Sequence, residues 1–198
     1  MSRIIAGARK GHRLKMPGHQ ETRPTSDRVR EAVFSLIADW AGTAGQPAAT
    51  TLAGLGFLDL YAGSGAVGLE AASRGAAPVV AVESDRATAE VARRNVAATQ
   101  LDVTVISRTV AAFLATGPTS PTRDGYDVVW ADPPYALATD RVEGVLTTLV
   151  AEGWVAPRGL VIVERPSRDR APQWPEGLQE SWERRYGETI LYFAMKGH

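Results

Sequence analysis

Hydrophobic positions change their period along this chain, and the changes predict its elements. Val29, Val33, Leu36, Ile37 and Trp40 recur at offsets of 0, 4, 7, 8 and 11, which is one face of an amphipathic helix. After a connection at 43–51 rich in Gly, Ala, Thr and Pro, short apolar runs at 57–61, 79–83, 103–106, 126–131 and 160–164 alternate with helix-period segments at 67–73, 87–98, 111–114 and 141–151. Strands covered on both faces need such near-continuous apolar runs, and strands alternating with helices build a parallel sheet. The expected class is α/β: a Rossmann-like, doubly wound sheet with helices on both faces. Two last runs, 178–185 and 189–195, flank Gly187 and predict a closing antiparallel pair. The 117–124 segment reads as a loop, and no internal repeat is visible.

Composition narrows the class further. The chain has 198 residues, 44% of them hydrophobic and 22% charged, the size of one domain with at most a short appendage. It has no cysteine, so neither disulfides nor a cysteine zinc site arise, and His12, His19 and His198 are too scattered to suggest a metal. No stretch approaches the roughly 18 apolar residues of a membrane span, so a cytoplasmic protein with no membrane partner is expected. Lys plus Arg and Asp plus Glu both number 22, but residues 1–30 hold eight basic side chains against Glu21 and Asp27. The rest of the chain therefore carries 14 basic and 20 acidic residues. A basic N-terminal arm of this kind either meets phosphates or is merely solvated.

The first strand runs into Gly63-Ser64-Gly65-Ala66-Val67-Gly68, a G-x-G-x-x-G loop opening a helix. Its glycines let a ligand approach the backbone, and the helix N-terminus offers free N–H groups. The next strand ends in Glu83, 20 residues after Gly63, where a carboxylate accepts the hydroxyls of an adenosine ribose. A dinucleotide needs the loop for its pyrophosphate. S-adenosylmethionine has no phosphate and carries an ammonium and a sulfonium, which favour carboxylates, and Asp59 supplies one just before the loop. The run Asp59-Leu60-Tyr61-Ala62-Gly63-Ser64-Gly65 resembles the first motif of class I methyltransferases.

The fourth strand ends in Asp132-Pro133-Pro134-Tyr135, at the sheet edge where open α/β folds bind ligands. Two prolines cannot continue a ladder and make a rigid bend. An exocyclic nucleobase amine is a poor nucleophile because its lone pair is delocalised into the ring. Accepting its hydrogens on the Asp132 carboxylate and the Pro133 carbonyl would turn that lone pair toward a methyl donor, with Tyr135 stacked on the base. Either a guanine N2 or an adenine N6 satisfies this chemistry. A nicotinamide dehydrogenase would leave Asp132 to Tyr135 unexplained, and the alternative outside enzymes is a non-catalytic RNA-binding or ribosome-assembly protein that kept the fold.

Arg3-Ile4-Ile5-Ala6-Gly7 with Gly11-His12-Arg13-Leu14, then Thr22-Arg23-Pro24-Thr25-Ser26-Asp27-Arg28-Val29-Arg30-Glu31, the loop at 59–68 and the tetrapeptide at 132–135 together resemble the bacterial 16S rRNA guanine-N2 methyltransferases of the RsmD family. The resemblance covers essentially the whole chain, and the 22–31 segment is its most distinguishing part. It implies a seven-stranded methyltransferase sheet, S-adenosylmethionine as donor with S-adenosylhomocysteine as product, no metal, and a guanine of 16S rRNA in the 30S subunit or an assembly intermediate as acceptor. It further implies catalytic roles for Asp132, Pro133, Pro134 and Tyr135, and cofactor contacts from Asp59, Tyr61, Ala62, Gly63, Gly65, Glu83, Thr109 and Asp132. RNA contacts are expected from Arg9, Lys10, Arg13, Arg23 and Arg28. The expected organisation is an RNA-binding extension at 1–25 and a methyltransferase domain at 26–198, acting as a monomer.

Overall fold

The computed structural model describes residues 2–18, 27–118 and 125–197. The arm forms a two-stranded antiparallel pair, β1 (Ser2–Arg3) and β2 (Arg13–Leu14), followed by helix α1 (Asp27–Trp40). The main body runs β3 (Phe57–Leu60), α2 (Ala66–Ser73), β4 (Val79–Glu83), α3 (Arg86–Thr99), β5 (Thr104–Ser107), α4 (Val110–Leu114), β6 (Tyr126–Ala131), α5 (Thr139–Ala151), β7 (Val155–Pro166), β8 (Leu178–Tyr186) and β9 (Thr189–Lys196).

These strands form one seven-stranded sheet in the order β5-β4-β3-β6-β7-β9-β8. Strands β3 to β7 pair parallel with one another, while β9 is antiparallel to both β7 and β8. The expected α/β sheet and closing antiparallel pair are both present. The expected strand at 160–164 extends to twelve residues, with Arg158 at φ 62° and a register shift against β6 between Tyr126 and Val128.

Alternation along each strand divides the core in two. Leu58, Leu60, Val129, Ala131, Val161 and Val163 face α4 and α5, with Trp154 and Leu146. Phe57, Val128, Trp130 and Ile162 face the other way, onto Phe34 and Ile37 of α1 and Leu69 of α2. Because β3 lies between β4 and β6, the chain leaves in opposite directions at its carboxyl end. That is the topological switch point where open α/β sheets bind ligands, and it collects the β3–α2 loop, the end of β4 and the end of β6.

The arm packs on this body. Ile4 and Leu14 are buried in the α1–α2 core. The carboxylate of Glu70, enclosed within α2, accepts the N–H groups of Ile5 at 2.7 Å and Ala6 at 3.0 Å, and Arg74 Nε pairs with it at 2.8 Å. Ser73 Oγ accepts from Arg9 N–H and donates to the Ala6 carbonyl. A Cβ on Gly7, at φ +82°, would lie 1.8 Å from the Ser73 carbonyl oxygen, so this crossing admits only glycine.

Candidate active site

At the end of β3 the backbone must turn sharply into α2. Tyr61 takes a left-handed φ of 61°, and Gly63 and Gly65 have φ of 55° and 77°. Gly65 is the residue preceding α2, and Gly68 N–H donates to Asp59 Oδ2 at 2.8 Å. A Cβ on Gly68 would meet that oxygen at 3.2 Å, so the third glycine lets helix and strand close on each other. Glu83 holds the loop from β4: its carboxylate accepts Gly63 N–H at 2.9 Å and Asp85 N–H at 2.8 Å.

A cleft of about 160 Å³ opens over these groups, lined by Asp59, Tyr61, Ala62, Gly63, Glu83 and the whole Asp132 to Tyr135 turn. Ser64, Ser84, Met16, Arg30 and Trp130 also line it. The structure thus brings together nine of the residues expected in the site, from three strands. Tyr135 is 39% exposed at the mouth, a large aromatic face open to solvent.

Two expected cofactor positions fall elsewhere. Gly65 does not line the cleft; a Cβ there would lie 3.4 Å from Ala92 Cβ of α3, so its glycine serves the left-handed turn and the approach of that helix. Thr109 lines an adjacent, more apolar cavity of about 670 Å³ that shares Tyr61, Ser84 and Pro134 with the cleft. Its hydroxyl caps α4, accepting Ala112 N–H at 3.2 Å. Arg28 is exposed on α1, as are Arg9, Lys10 and Arg13 on the arm, and Arg23 lies outside the described residues.

Arg30 is the cleft residue that local pattern reading missed. Only 2% exposed, it donates to Ser2 Oγ, the Arg3 carbonyl and Asp27. It precedes Val33 and Ile37 by three and seven residues, and a cation on the apolar face of a helix is the available sequence signal. Asn95 was also missed: its Nδ2 donates to the Ser64 and Lys15 carbonyls, and its Oδ1 accepts Lys15 N–H. This buried carboxamide ties the arm to the glycine loop, and Met16, the next residue, walls the cleft.

The cleft is strongly acidic. Burial pushes the Asp59 carboxyl up to about 7, against the Gly68 N–H bond that favours its anion, with Glu83 adding to the rise. The Asp132 carboxyl is held well above the usual range by burial, then by Glu164 and Asp59, and Arg165 opposes the rise. Burial raises the Tyr61 phenol to about 12. Clustered buried carboxylates favour a cationic ligand, which relieves their mutual repulsion. The ammonium and sulfonium of S-adenosylmethionine fit this donor set.

The family described as Conserved hypothetical protein 95 matches residues 2–195. The chain belongs to this family, the RsmD family. Ribosomal RNA small subunit methyltransferase D of Escherichia coli K12 is 33% identical over 174 residues, covering 87% of this chain and 79% of the relative. The enzyme of the same name from Haemophilus influenzae is 30% identical over 165 residues, covering 82% and 77%. Among solved structures, yhhF from E. coli superposes with a TM-score of 0.77 at 30% identity, covering 99% of this chain and 98% of that one. A hypothetical protein of Thermus thermophilus does so at 0.75 and 30%, with full coverage of both chains. The family comprises S-adenosylmethionine-dependent rRNA methyltransferases, and the seven-stranded Rossmann-like sheet is their fold.

Proposed function

We propose that this protein transfers a methyl group from S-adenosylmethionine to the exocyclic N2 amine of a guanine in 16S rRNA, acting as a cytoplasmic monomer on the 30S subunit or an assembly intermediate. One observation carries the reading: the Asp132 to Tyr135 turn and the glycine loop with Asp59 and Glu83 line the same cleft. The family membership and the names of its relatives support rRNA as the acceptor. Among the described residues no helix is long and apolar enough to cross a membrane.

The residues divide the work by element. Glu83 and the loop at 62–64 hold the nucleoside end of the donor, Asp59 faces its cationic end, and the cavity beside Tyr61, Thr109 and Val110 offers an apolar seat for the adenine. Bound there, the donor supplies an electrophilic methyl on a neutral leaving group, chemistry that needs no metal. Asp132 and the Pro133 carbonyl accept the hydrogens of the acceptor amine and turn its lone pair inward, while Tyr135 stacks on the base. Rate enhancement then rests on orientation and on acceptors placed where charge develops. Arg9, Lys10 and Arg13, exposed on the arm, meet rRNA phosphates beside the cleft wall that Met16 builds. Arg23 and Arg28 are assigned to the same RNA contact.

Mass spectrometry of 16S nucleosides, after incubating unmodified 30S particles with protein and donor, tests the reaction. N2-methylguanosine is expected; N6-methyladenosine or no new nucleoside would refute it.

Two further outcomes follow from the cofactor assignment. Glu83→Ala removes the acceptor of two loop N–H groups as well as the ribose partner, so S-adenosylmethionine affinity should fall by about 1–3 kcal/mol, measured by calorimetry. Undiminished affinity would place the nucleoside elsewhere. Binding of the cation also favours ionised Asp59, whose carboxyl titrates near 7 in the free protein. Affinity should therefore rise with pH between about 6 and 8 and level off above, with protons released on binding at the lower pH. Calorimetry in buffers of different ionisation enthalpy reads that release directly, and a pH-independent affinity would remove Asp59 from the binding site.

A further inference from the structure

Asp132 does not stand alone at the sheet edge. The pairing of Ala131 with Val163 makes Asp132 and Glu164 the next residues on adjacent strands, and Asp59 of β3 pairs across to Trp130 on the other side of β6. Three neighbouring strands thus bring three carboxylates to one place, and Arg165 follows directly on β7. Its guanidinium is 1% exposed. Nη2 donates to the Leu137 carbonyl at 2.8 Å and pairs with Asp169. Leu137 N–H in turn donates to the Pro134 carbonyl at 2.8 Å, so the guanidinium grips the chain leaving the proline turn.

Among the described residues, the buried Nε and Nη1 of Arg165 find no hydrogen-bond partner. A guanidinium taken out of water with two donors unused is costly unless nearby negative charge offsets it. Asp169 holds one end. Of the charged groups acting on Asp132, Glu164 from β7 and Asp59 from β3 oppose its ionisation, and Arg165 is the cation that favours it.

We propose that Arg165 is the positioning residue of the acceptor site: its enclosed guanidinium anchors the Asp132 to Tyr135 turn through Leu137 and supplies the positive charge beside Asp59, Asp132 and Glu164 that favours the carboxylate form of Asp132, the form that accepts amine hydrogens. As a carboxylic acid, Asp132 would present a donor to that amine and lose half of its acceptor capacity. The proposal rests on the reading of Asp132 as the group that meets the acceptor amine.

The test is a carboxyl-carbon NMR titration of the full-length protein without ligands, with Asp132 assigned by comparison with Asp132→Asn. In Arg165→Met the Asp132 midpoint should move up by about one pH unit or more. Arg165→Lys, which restores the charge, should bring it back toward wild type. Arg165→Gln, uncharged but able to bond Leu137, should behave as Met does, and it serves if the Met variant does not fold. The acid limb of the single-turnover profile should move with the midpoint, the rate on that limb falling about tenfold for each pH unit that the midpoint rises. An Asp132 midpoint unmoved in the uncharged variants, or a rate lowered equally at every pH, would overturn the proposal. Full activity of Asp132→Asn would instead remove Asp132 from the acceptor site, while the titration still decides whether Arg165 sets its charge.

Discussion

Asp132→Ala should slow methyl transfer to 30S particles by roughly 10²–10⁴-fold, the range for losing a group that handles the transferred proton or orients the nucleophile. The loss should sit in the single-turnover rate. Donor affinity should change far less, because removing Asp132 also removes a like charge from beside Asp59 and leaves Glu83 and the glycine loop in place. Asp132→Asn separates the two functions of the side chain: its carbonyl oxygen still accepts one hydrogen, but it brings no negative charge to the developing cation. An intermediate rate is expected. A single-turnover rate near wild type for Asp132→Ala would mean that another group orients the amine.

Deleting residues 1–18 should destabilise the whole domain, although the sequence sets residues 1–25 apart as an RNA-binding extension. Ile4 and Leu14 would leave the core, at about 1.5–3 kcal/mol each. Buried Glu70 would lose two N–H donors, at about 1.5–3 kcal/mol each for bonds to a charged group. Arg30 would lose Ser2 and the Arg3 carbonyl, and Asn95 its partner Lys15. Together these approach the roughly 5–15 kcal/mol that holds a domain folded. Thermal unfolding should show a large drop in Tm, and S-adenosylmethionine affinity should fall as the Met16 wall is removed and the Ser64 wall loosens. A truncated protein of unchanged Tm and donor affinity would show the arm to be dispensable to the site.

The charge of the arm is tested separately by substituting its exposed side chains. Arg9, Lys10 and Arg13 changed together to Ala should leave the fold and donor affinity near wild type. The dependence of log affinity for RNA on log salt should flatten by about 0.7–0.9 for each phosphate the arm no longer neutralises, roughly 2 to 3 in all. An unchanged slope would make these charges solvent-facing only.

The main body was legible because its strands are buried on both faces, so their apolar runs are continuous and stand out against the helix-period segments between them. The glycine loop, Glu83 and the Asp132 turn were legible for a related reason. Each is a local backbone event at a strand end: a left-handed turn, a terminal carboxylate, a proline pair that cannot extend a ladder. The 20-residue spacing from Gly63 to Glu83 is set by one helix and one strand.

Other features depend on partners far along the chain. Nothing local to Glu70 announces that it will hold the backbone of Ile5, 65 residues away, or that Ser2 and Arg3 will receive the guanidinium of Arg30. Arg28 and Arg30 look alike in a charge count, yet one is exposed on α1 and the other is buried in the cleft wall. Thr109 sits beside the cleft rather than in it because the α4 cap directs its hydroxyl to Ala112. Period and spacing along one segment determined which strands are buried and where the chain turns at the sheet edge. Which ionisable groups lie enclosed, and which charge answers which, was decided only by the tertiary structure, because the cost of burying a charge is met by neighbours that folding alone brings within reach.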